Sequence, residues 1–212
     1  MIIFNRIARK IVRDVRKLIR LSKARKMGIA FVEPNFVYWP RINAGDTVVD
    51  VGCSYEADFS VLMIERHGAK SYAIDPTRKH RPALEALEAR YYNKLFHLPV
   101  AIGPSNGELV FHESEDNESG SLMDNHLNVV SDKIIKYNVR CLKLKNLVEK
   151  IGADKIAILK LDIEGAEYPL LQDITTADLS PFDQIFIEFH HHAVADYSLE
   201  HTKKIVLRFA DM

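Results

Sequence analysis

Three acidic residues stand at or just beyond the ends of predicted β-strands, where a ligand could be held. Asp50 closes one apolar run, Asp75 follows a second and precedes Pro76, and Asp162 follows a third. Ligands of open α/β sheets bind outside the carboxyl ends of the strands, where the strand order reverses. These acids therefore predict a ligand-binding edge on a parallel sheet.

The turn after the first strand contains Gly52, Cys53 and Ser54 and indicates which ligand could bind there. Gly52 lets the backbone approach a ligand closely because it has no Cβ. The turn lacks the further glycines of a Gly-x-Gly-x-x-Gly motif and the Gly-Lys-Ser/Thr of a P-loop. This pattern favours a nucleoside without phosphates, of which S-adenosylmethionine is the obvious one, over a nicotinamide dinucleotide.

Asp75 lies about twenty residues beyond this turn, where an acid binds the ribose hydroxyls in dinucleotide-binding folds. The alternative is a turn or cap residue before Pro76. We expect the ribose role, with Asp50 and the Gly52–Ser54 turn beside it on the cofactor side of the site.

A second polar group follows the last two predicted strands and could face a reaction partner. Asp162 and Glu164 follow one strand, and His190 follows the other. Each could accept the proton of a hydroxyl as its oxygen attacks an electrophile. The alternative for the two acids is to cap the helix that starts near Ala166.

The run His190–His192 also raises the question of a metal site, because imidazoles and nearby carboxylates bind divalent ions. Consecutive residues at a strand end point in different directions, however. We therefore expect His190 to act as a base or as a donor that orients the acceptor, and a divalent metal is not favoured.

Strands alternate with helices along most of the chain, which predicts right-handed βαβ crossovers and a parallel sheet. The predicted strands of this sheet are Thr47–Val51, Ser71–Ile74, Leu98–Ile102, Ile156–Leu161 and Gln184–Phe189. The predicted helices are Ala57–Arg66, Arg81–Tyr91, Leu147–Ile151 and Leu199–Phe209. In the middle, strands Gly107–Phe111 and Val139–Leu144 flank a long predicted loop, Glu113–Asn128.

Residues 1–28 differ from the rest in charge and periodicity. They carry ten basic residues and one acidic residue, a net charge of +9, against −9 for the remainder. Apolar residues recur there at spacings of three and four, which predicts an amphipathic helix. Such a helix could pack on the domain or in a dimer, or lie on an anionic membrane surface. Nucleic acid is the least favoured partner, because Phe4 is the only aromatic residue of the segment.

The composition bounds the rest of the interpretation. The chain has 212 residues, 47% hydrophobic and 27% charged, which is typical of a globular protein with one domain besides residues 1–28. Two distant cysteines, Cys53 and Cys141, indicate a reducing compartment. We find neither a signal peptide nor a run of ~18 apolar residues that could span a membrane. We expect a cytoplasmic protein that could also make peripheral contact with the inner face of a membrane.

Four motifs resemble those of the FkbM family of S-adenosylmethionine-dependent methyltransferases, and the likeness covers roughly residues 44–190. The block of eight residues that starts at Lys160 is the most specific. The motifs are Asp50-Val-Gly52, Tyr72-Ala-Ile-Asp75-Pro76, Gly120-Ser121-Leu122 and Lys160-Leu-Asp162-Ile-Glu164-Gly165-Ala166-Glu167.

The resemblance implies a Rossmann-like class I methyltransferase fold, with a mostly parallel sheet and helices on both faces, over residues 29–212. It implies S-adenosylmethionine at Gly52–Ser54 and Asp75, and methyl transfer to a hydroxyl, commonly on a sugar or lipid-linked glycan. It also implies that Ser121, Asp162 and Glu164 line the site.

The chain departs from the family pattern in two places. The second glycine of the first turn falls at Ala57, and the turn is about one residue longer. The two strands that normally follow the fifth helix are missing before Met212, so we expect a truncated chain or a sheet that ends early. These departures motivate an alternative, a binding or accessory protein that keeps the fold without turnover.

Overall fold

The computed structural model describes residues 22–32, 36–127, 133–172 and 174–210. The chain divides into two compact units, Met1–Ile42 and Asn43–Met212. The first contains a helical segment at residues 22–26 and the antiparallel pair β1 (Ala30–Val32) and β2 (Phe36–Tyr38). The basic helix predicted for residues 1–28 falls mostly outside the described residues, and it stays a prediction together with the boundary at residue 28.

The second unit alternates strands and helices. Its strands are β3 (Thr47–Val51), β4 (Lys70–Ile74), β5 (Leu95–Leu98), β6 (Ala101–Ile102), β7 (Gly107–Ser114), β8 (Gly120–Ser121), β9 (Ile134–Leu142), β10 (Ile158–Leu161) and β11 (Ile185–Ile187). Its α-helices are α1 (Asp58–His67), α2 (Arg81–Arg90), α3 (Leu144–Ile151), α4 (Glu167–Gln172), α5 (Thr176–Leu179) and α6 (Leu199–Ala210).

The main sheet has five parallel strands in the order β11-β10-β3-β4-β5. The chain runs outward from β3 to β5 and later returns to β10 on the other side of β3. The strand order therefore reverses between β3 and β10, whose carboxyl ends lie side by side, with Val51 opposite Leu161. This junction is where a parallel sheet of this kind binds its ligand.

The two central strands are buried on both faces, which explains their largely apolar sequences. All four residues of β10 are buried, as are the last four of β3. Strands covered by helices on both faces read as continuous apolar runs. Asp50 and Lys160 are the exceptions within these two strands, and they pair with each other.

A second sheet, in the order β6-β9-β7-β8, corrects two sequence predictions. The predicted strand Leu98–Ile102 is wrong, because Leu95–Leu98 forms the third strand of the main sheet and Ala101–Ile102 joins the second sheet beside β9. Pro99 has no N–H to continue the first ladder, which explains the break. The predicted loop that starts at Glu113 contains the end of β7 and the short strand β8.

Among the residues that the structure describes, no helix is both long and apolar enough to cross a bilayer.

Candidate active site

A cavity of about 270 Å³ lies at the carboxyl ends of the central strands, on the side predicted from the sequence. The turn after β3, the end of β4, the loop before β8 and the turn after β10 all contribute to its lining. The lining residues that could contact a ligand or take part in a reaction include Gly52, Ser54, Asp75, Glu118, Asp162 and Glu164.

Gly52 is required by the crossing of two chain segments. Its φ is +73°, and a Cβ at this position would lie 1.6 Å from the carbonyl oxygen of Asp162. Only glycine tolerates both the left-handed conformation and this approach. The sequence predicted a close approach to a ligand, whereas the structure shows a close approach to the backbone that follows β10.

Ala57 keeps the conformation that a glycine would adopt at the same place. Its φ is 46° and its ψ is 42°, in the left-handed region, and the residue is fully buried. A non-glycine residue in this region costs roughly 1–2 kcal/mol. The turn before α1 therefore retains a glycine-like path although the glycine of the family pattern is absent.

Asp75 is buried at the cavity wall and holds the first turn in place. Its carboxylate accepts hydrogen bonds from the backbone N–H of Ser54 (3.0 Å) and of Thr77 (2.8 Å). The His80 Nδ1 atom lies 3.3 Å from the same carboxylate. Burial opposes ionisation, but hydrogen bonds from His80 and Thr77 outweigh it and lower the pKa of Asp75. These contacts use both lone pairs of Oδ2 and one of Oδ1, so Asp75 can still accept one hydroxyl donor from the cavity, at Oδ1.

His80 is a cavity residue that the sequence analysis did not identify. It is only 3% exposed, and its Nε2 atom has no hydrogen-bond partner among the described residues. Buried polar atoms normally have partners, so a ligand is the natural source of one here. The only sequence signal is a polar side chain one turn beyond Asp75.

Asp50 and Cys53 are buried, and neither is among the described residues that line the cavity. Asp50 accepts hydrogen bonds from the backbone N–H (3.2 Å) and the hydroxyl (2.9 Å) of Ser60. Burial raises the pKa of the Cys53 thiol well above its usual value, so this thiol is neutral. Their predicted contact with a cofactor stays a prediction.

Lys160 ties the ends of β3 and β10 together. Its Nζ atom lies 3.2 Å from Asp50, 3.3 Å from Asp162 and 3.2 Å from the carbonyl oxygen of Gly52. Burial opposes the charge, but the two carboxylates outweigh it and raise the pKa of Lys160. The permanently protonated Lys160 side chain therefore connects the Gly52–Ser54 turn, where the cofactor is predicted to bind, to Asp162.

The three predicted catalytic residues lie together beyond β10 and β11. The His190 Nε2 atom is 3.6 Å from Asp162 and 3.7 Å from Glu164. Burial disfavours the charged ring, but the neighbouring carboxylates outweigh it and raise the pKa of His190 to about 9. A ring protonated at neutral pH is a donor, which favours the orienting role of His190 over the role of base.

The two acids differ in their environments. Burial raises the pKa of Asp162 to about 6, although Lys160 and His190 oppose the rise. Burial also acts on Glu164, but the neighbouring histidines outweigh it and lower the pKa of this carboxyl. Glu164 has a φ of 52°, a strained left-handed conformation that sets the direction of its side chain.

Glu167, rather than Asp162 or Glu164, caps the turn before α4. This carboxylate is fully buried and accepts hydrogen bonds from the backbone N–H groups of Ile163 (2.8 Å) and Gly165 (2.9 Å). It also lies 3.0 Å from the His190 Nδ1 atom. The alternative in which the two earlier acids serve only as caps is therefore not the arrangement observed.

Ser121 and His126 position Glu164 from the other side. The Ser121 hydroxyl donates to the carbonyl oxygen of Glu164 at 2.7 Å, and its predicted contact with the cofactor stays a prediction. The His126 Nε2 atom lies 2.8 Å from the Glu164 Oε2 atom. His126 belongs to no recognisable motif and lies in the predicted loop Glu113–Asn128, so the sequence analysis did not identify it.

Comparisons with known proteins identify a family and a similar fold. A family model described as the methyltransferase FkbM domain matches residues 43–208. The crystal structure of methyltransferase FkbM from Methylobacillus flagellatus KT is similar, with a TM-score of 0.50 and 16% sequence identity over 78% of this chain, a likeness that concerns the fold alone. The alignment covers 38% of that protein's chain. No curated protein matches this chain at a significant level.

Proposed function

The chain belongs to the methyltransferase FkbM domain family, and from this premise we propose that it transfers a methyl group from S-adenosylmethionine to a hydroxyl of a sugar, a glycan or a related acceptor. The charge of the cavity is the observation that carries the choice of cofactor. Asp75, Glu118, Asp162 and Glu164 line it, and among its described lining residues there is neither lysine nor arginine.

This lining fits a cationic ligand. A sulfonium and an α-ammonium group are attracted by carboxylates in a partly buried cavity, where screening is weak. The pyrophosphate of a nicotinamide dinucleotide would meet the same carboxylates without a cationic side chain to offset them. The lining therefore supports S-adenosylmethionine over a dinucleotide.

The nucleoside end of the ligand fits the wall formed by Asp75 and His80. The ionised carboxylate of Asp75 can accept one ribose hydroxyl at its Oδ1 atom. The buried Nε2 atom of His80 lacks a partner and provides one more polar contact for the same ligand.

When bound, S-adenosylmethionine supplies an electrophilic methyl group. Asp162 lines the cavity and lies beside Glu164 and His190, the residues predicted to face the acceptor. Its carboxylate is therefore placed to accept the hydroxyl proton. His190 donates to the acceptor or to the neighbouring carboxylates and orients them. Holding the reactants in line supplies ~7 kcal/mol or more of the barrier reduction.

The test is methyl transfer from S-adenosylmethionine, labelled in the methyl group, to a panel of sugars and glycans. We expect label in at least one hydroxyl acceptor, and a kcat reduced about 100-fold or more in Asp162→Asn, in the range typical of a lost general base. Asp183→Asn, which removes an exposed acid paired with Lys155, is the control and should keep full activity. Cofactor binding without transfer to any acceptor would instead support the alternative that the chain is a binding or accessory protein without turnover.

A further inference from the structure

One wall of the cavity is formed by the chain around β8. Gly120 and Leu122 line the cavity there, and the turn after β10 contributes Asp162 and Glu164 to the lining. We call residues 118–126 the wall segment. Contacts that fix this segment also fix the shape of the cavity.

Three side chains of the wall segment contact Glu164. The Ser119 hydroxyl donates to Glu164 Oε1 at 3.4 Å, and the Ser121 hydroxyl donates to the Glu164 carbonyl oxygen at 2.7 Å. The His126 Nε2 atom lies 2.8 Å from Glu164 Oε2. The Ser121 hydroxyl also accepts a hydrogen bond from the backbone N–H of Met123 at 2.9 Å. Glu164 therefore contacts the wall segment at three points, and one of them leads directly to its backbone.

The contact between Glu164 and His126 is the strongest of the three, because it involves a charged group largely removed from solvent. His126 is fully buried, and the Glu164 side chain is 25% exposed. Contacts with an ionised carboxylate are stronger than those between neutral groups, and burial weakens their screening. The φ of 52° at Glu164 is a conformation that only a firm surrounding structure maintains. The contacts with the wall segment contribute to that structure.

The neighbouring parts of the chain are held by other residues. Before the wall segment, the Lys79 Nζ atom contacts the carbonyl oxygen of Asn117. After it, the backbone N–H of Leu127 donates to the carbonyl oxygen of Ala193 at 2.8 Å. Glu164 connects the stretch between these two attachments to the turn after β10.

The same contacts make Glu164 a poor acceptor for the proton of a substrate hydroxyl. Its Oε1 atom accepts from Ser119, and its Oε2 atom faces His126 and, at 3.7 Å, His190. Burial opposes ionisation, but the histidines outweigh it and lower the pKa of Glu164. Burial instead raises the pKa of Asp162 to about 6. Because a general base is most efficient when its pKa is near the working pH, Asp162 suits that role better.

We propose that Glu164 is a positioning residue, which holds the wall segment against the turn after β10 through Ser119, Ser121 and His126. The proton of the acceptor then goes to Asp162 and not to Glu164, a part of the proposal that rests on the proposed function. The holding of the wall segment does not rest on it.

Hydrogen exchange of the full chain without ligand tests the holding of the wall segment. We expect amides of residues 119–127, including the N–H of Met123, to exchange at least about tenfold faster in Glu164→Ala, because local opening becomes easier. The amides of α1 should exchange as in wild type. Ser121→Ala removes one contact and should show a smaller change in the same region, so the test does not depend on the folding of Glu164→Ala. Unchanged exchange in both variants would overturn the proposal.

Calorimetric titration with S-adenosylhomocysteine tests the consequence for the cavity. His126 is not among the described residues that line the cavity. We nevertheless expect an affinity at least about tenfold lower in His126→Phe, because a loosened wall must be ordered on binding. His126→Gln, whose amide nitrogen can take the place of Nε2, should lose less. The matched control Asp124→Asn changes an exposed acid of the same segment and should bind like wild type. Wild-type affinity in His126→Phe, or an equal loss in the control, would contradict the proposal.

Methyl transfer separates Glu164 from the base. Glu164→Gln should raise KM more than it lowers kcat, because the amide keeps part of the contacts, whereas Asp162→Asn should lower kcat about 100-fold or more. An equal loss of kcat in the two variants would identify Glu164 as a base and overturn that part of the proposal. A wild-type chain that does not bind S-adenosylhomocysteine would remove the proposed function alone, since hydrogen exchange still decides the role of Glu164 in the wall.

Discussion

At the scale of single residues, the carboxylate of Asp75 connects stability to function. It joins the turn after β3 to the segment after β4 through the backbone N–H groups of Ser54 and Thr77. The same carboxylate lies on the cavity wall. Its low pKa in the folded state, set by His80 and Thr77 against burial, means that the ionised form stabilises the fold.

The first prediction concerns the pH dependence of this stabilisation. Because the folded pKa lies below the unfolded value, the contribution of Asp75 is fully present at neutral pH and is lost as pH falls through the folded pKa. We expect Asp75→Asn to unfold about 1–3 kcal/mol more easily than wild type at pH 7, the worth of hydrogen bonds to a charged group. The difference should shrink as the pH falls into the acidic range. Urea unfolding at several pH values measures it, and a difference independent of pH would contradict the assignment.

Some site residues could be predicted from the sequence because they sit in local patterns. Asp75 and Asp162 follow recognisable strands, and parallel strands bring their carboxyl ends together. His80 and His126 could not be predicted, because their roles depend on contacts across the fold. His126 reaches Glu164 only through the path of a long irregular segment, which no short motif encodes.

At the scale of elements, the crossing of the turns after β3 and β10 is the structural centre of the site. Asp162 donates its backbone N–H to the carbonyl oxygen of Val51 at 3.0 Å, and Lys160 contacts the carbonyl oxygen of Gly52 at 3.2 Å. The two turns therefore form one unit, in which a change on one side moves the other.

The second prediction tests this crossing with a pair of glycines in the same conformation. Gly52 and Gly152 have φ values of +73° and +70°, but a Cβ on Gly152 would meet no atom within 4 Å. We expect Gly152→Ala to cost about 1 kcal/mol, the usual difference between alanine and glycine in the left-handed region. Gly52→Ala should cost more than about 4 kcal/mol, because the overlap with Asp162 adds to this strain. Thermal or urea unfolding gives both values, and equal costs would show that the crossing is not tight.

The sequence predicted the main-sheet strands better than the second sheet, for a physical reason. Central parallel strands such as Thr47–Val51 are apolar on both faces, so their sequences stand out without tertiary information. Strand β9 largely alternates exposed and buried residues, whereas β7 is mostly exposed in its first half and buried in its second, and both take their length from pairing with each other. The chain also passes from one sheet to the other at Pro99, and an apolar run that spans two sheets reads as one strand.

At the scale of the whole molecule, charge is unevenly distributed along the sequence. Residues 1–28 carry +9 and the remainder −9. We propose that this segment, for which the sequence predicts an amphipathic helix, contacts an anionic membrane surface. Each basic residue near such a surface contributes ~1 kcal/mol of attraction.

The third prediction follows from this proposal. The full chain should cosediment with vesicles that contain anionic lipid and not with neutral vesicles, and added salt should weaken the binding because it screens charge. Replacing Lys10, Arg13 and Lys17 by glutamate should abolish the interaction. The same change at Lys155, in the second unit, serves as the control and should have no effect. Equal binding to neutral and anionic vesicles would contradict the proposal.

The most direct test of the central claim, that the cavity beside Asp75 binds S-adenosylmethionine, is calorimetric titration with S-adenosylhomocysteine. We predict one nucleoside per chain, no comparable binding of a nicotinamide dinucleotide, and an affinity at least about tenfold lower in Asp75→Ala, equivalent to ~1.4 kcal/mol. Asp183→Ala should bind like wild type. Absence of binding by the intact chain, or an affinity that Asp75→Ala leaves unchanged, would contradict the account.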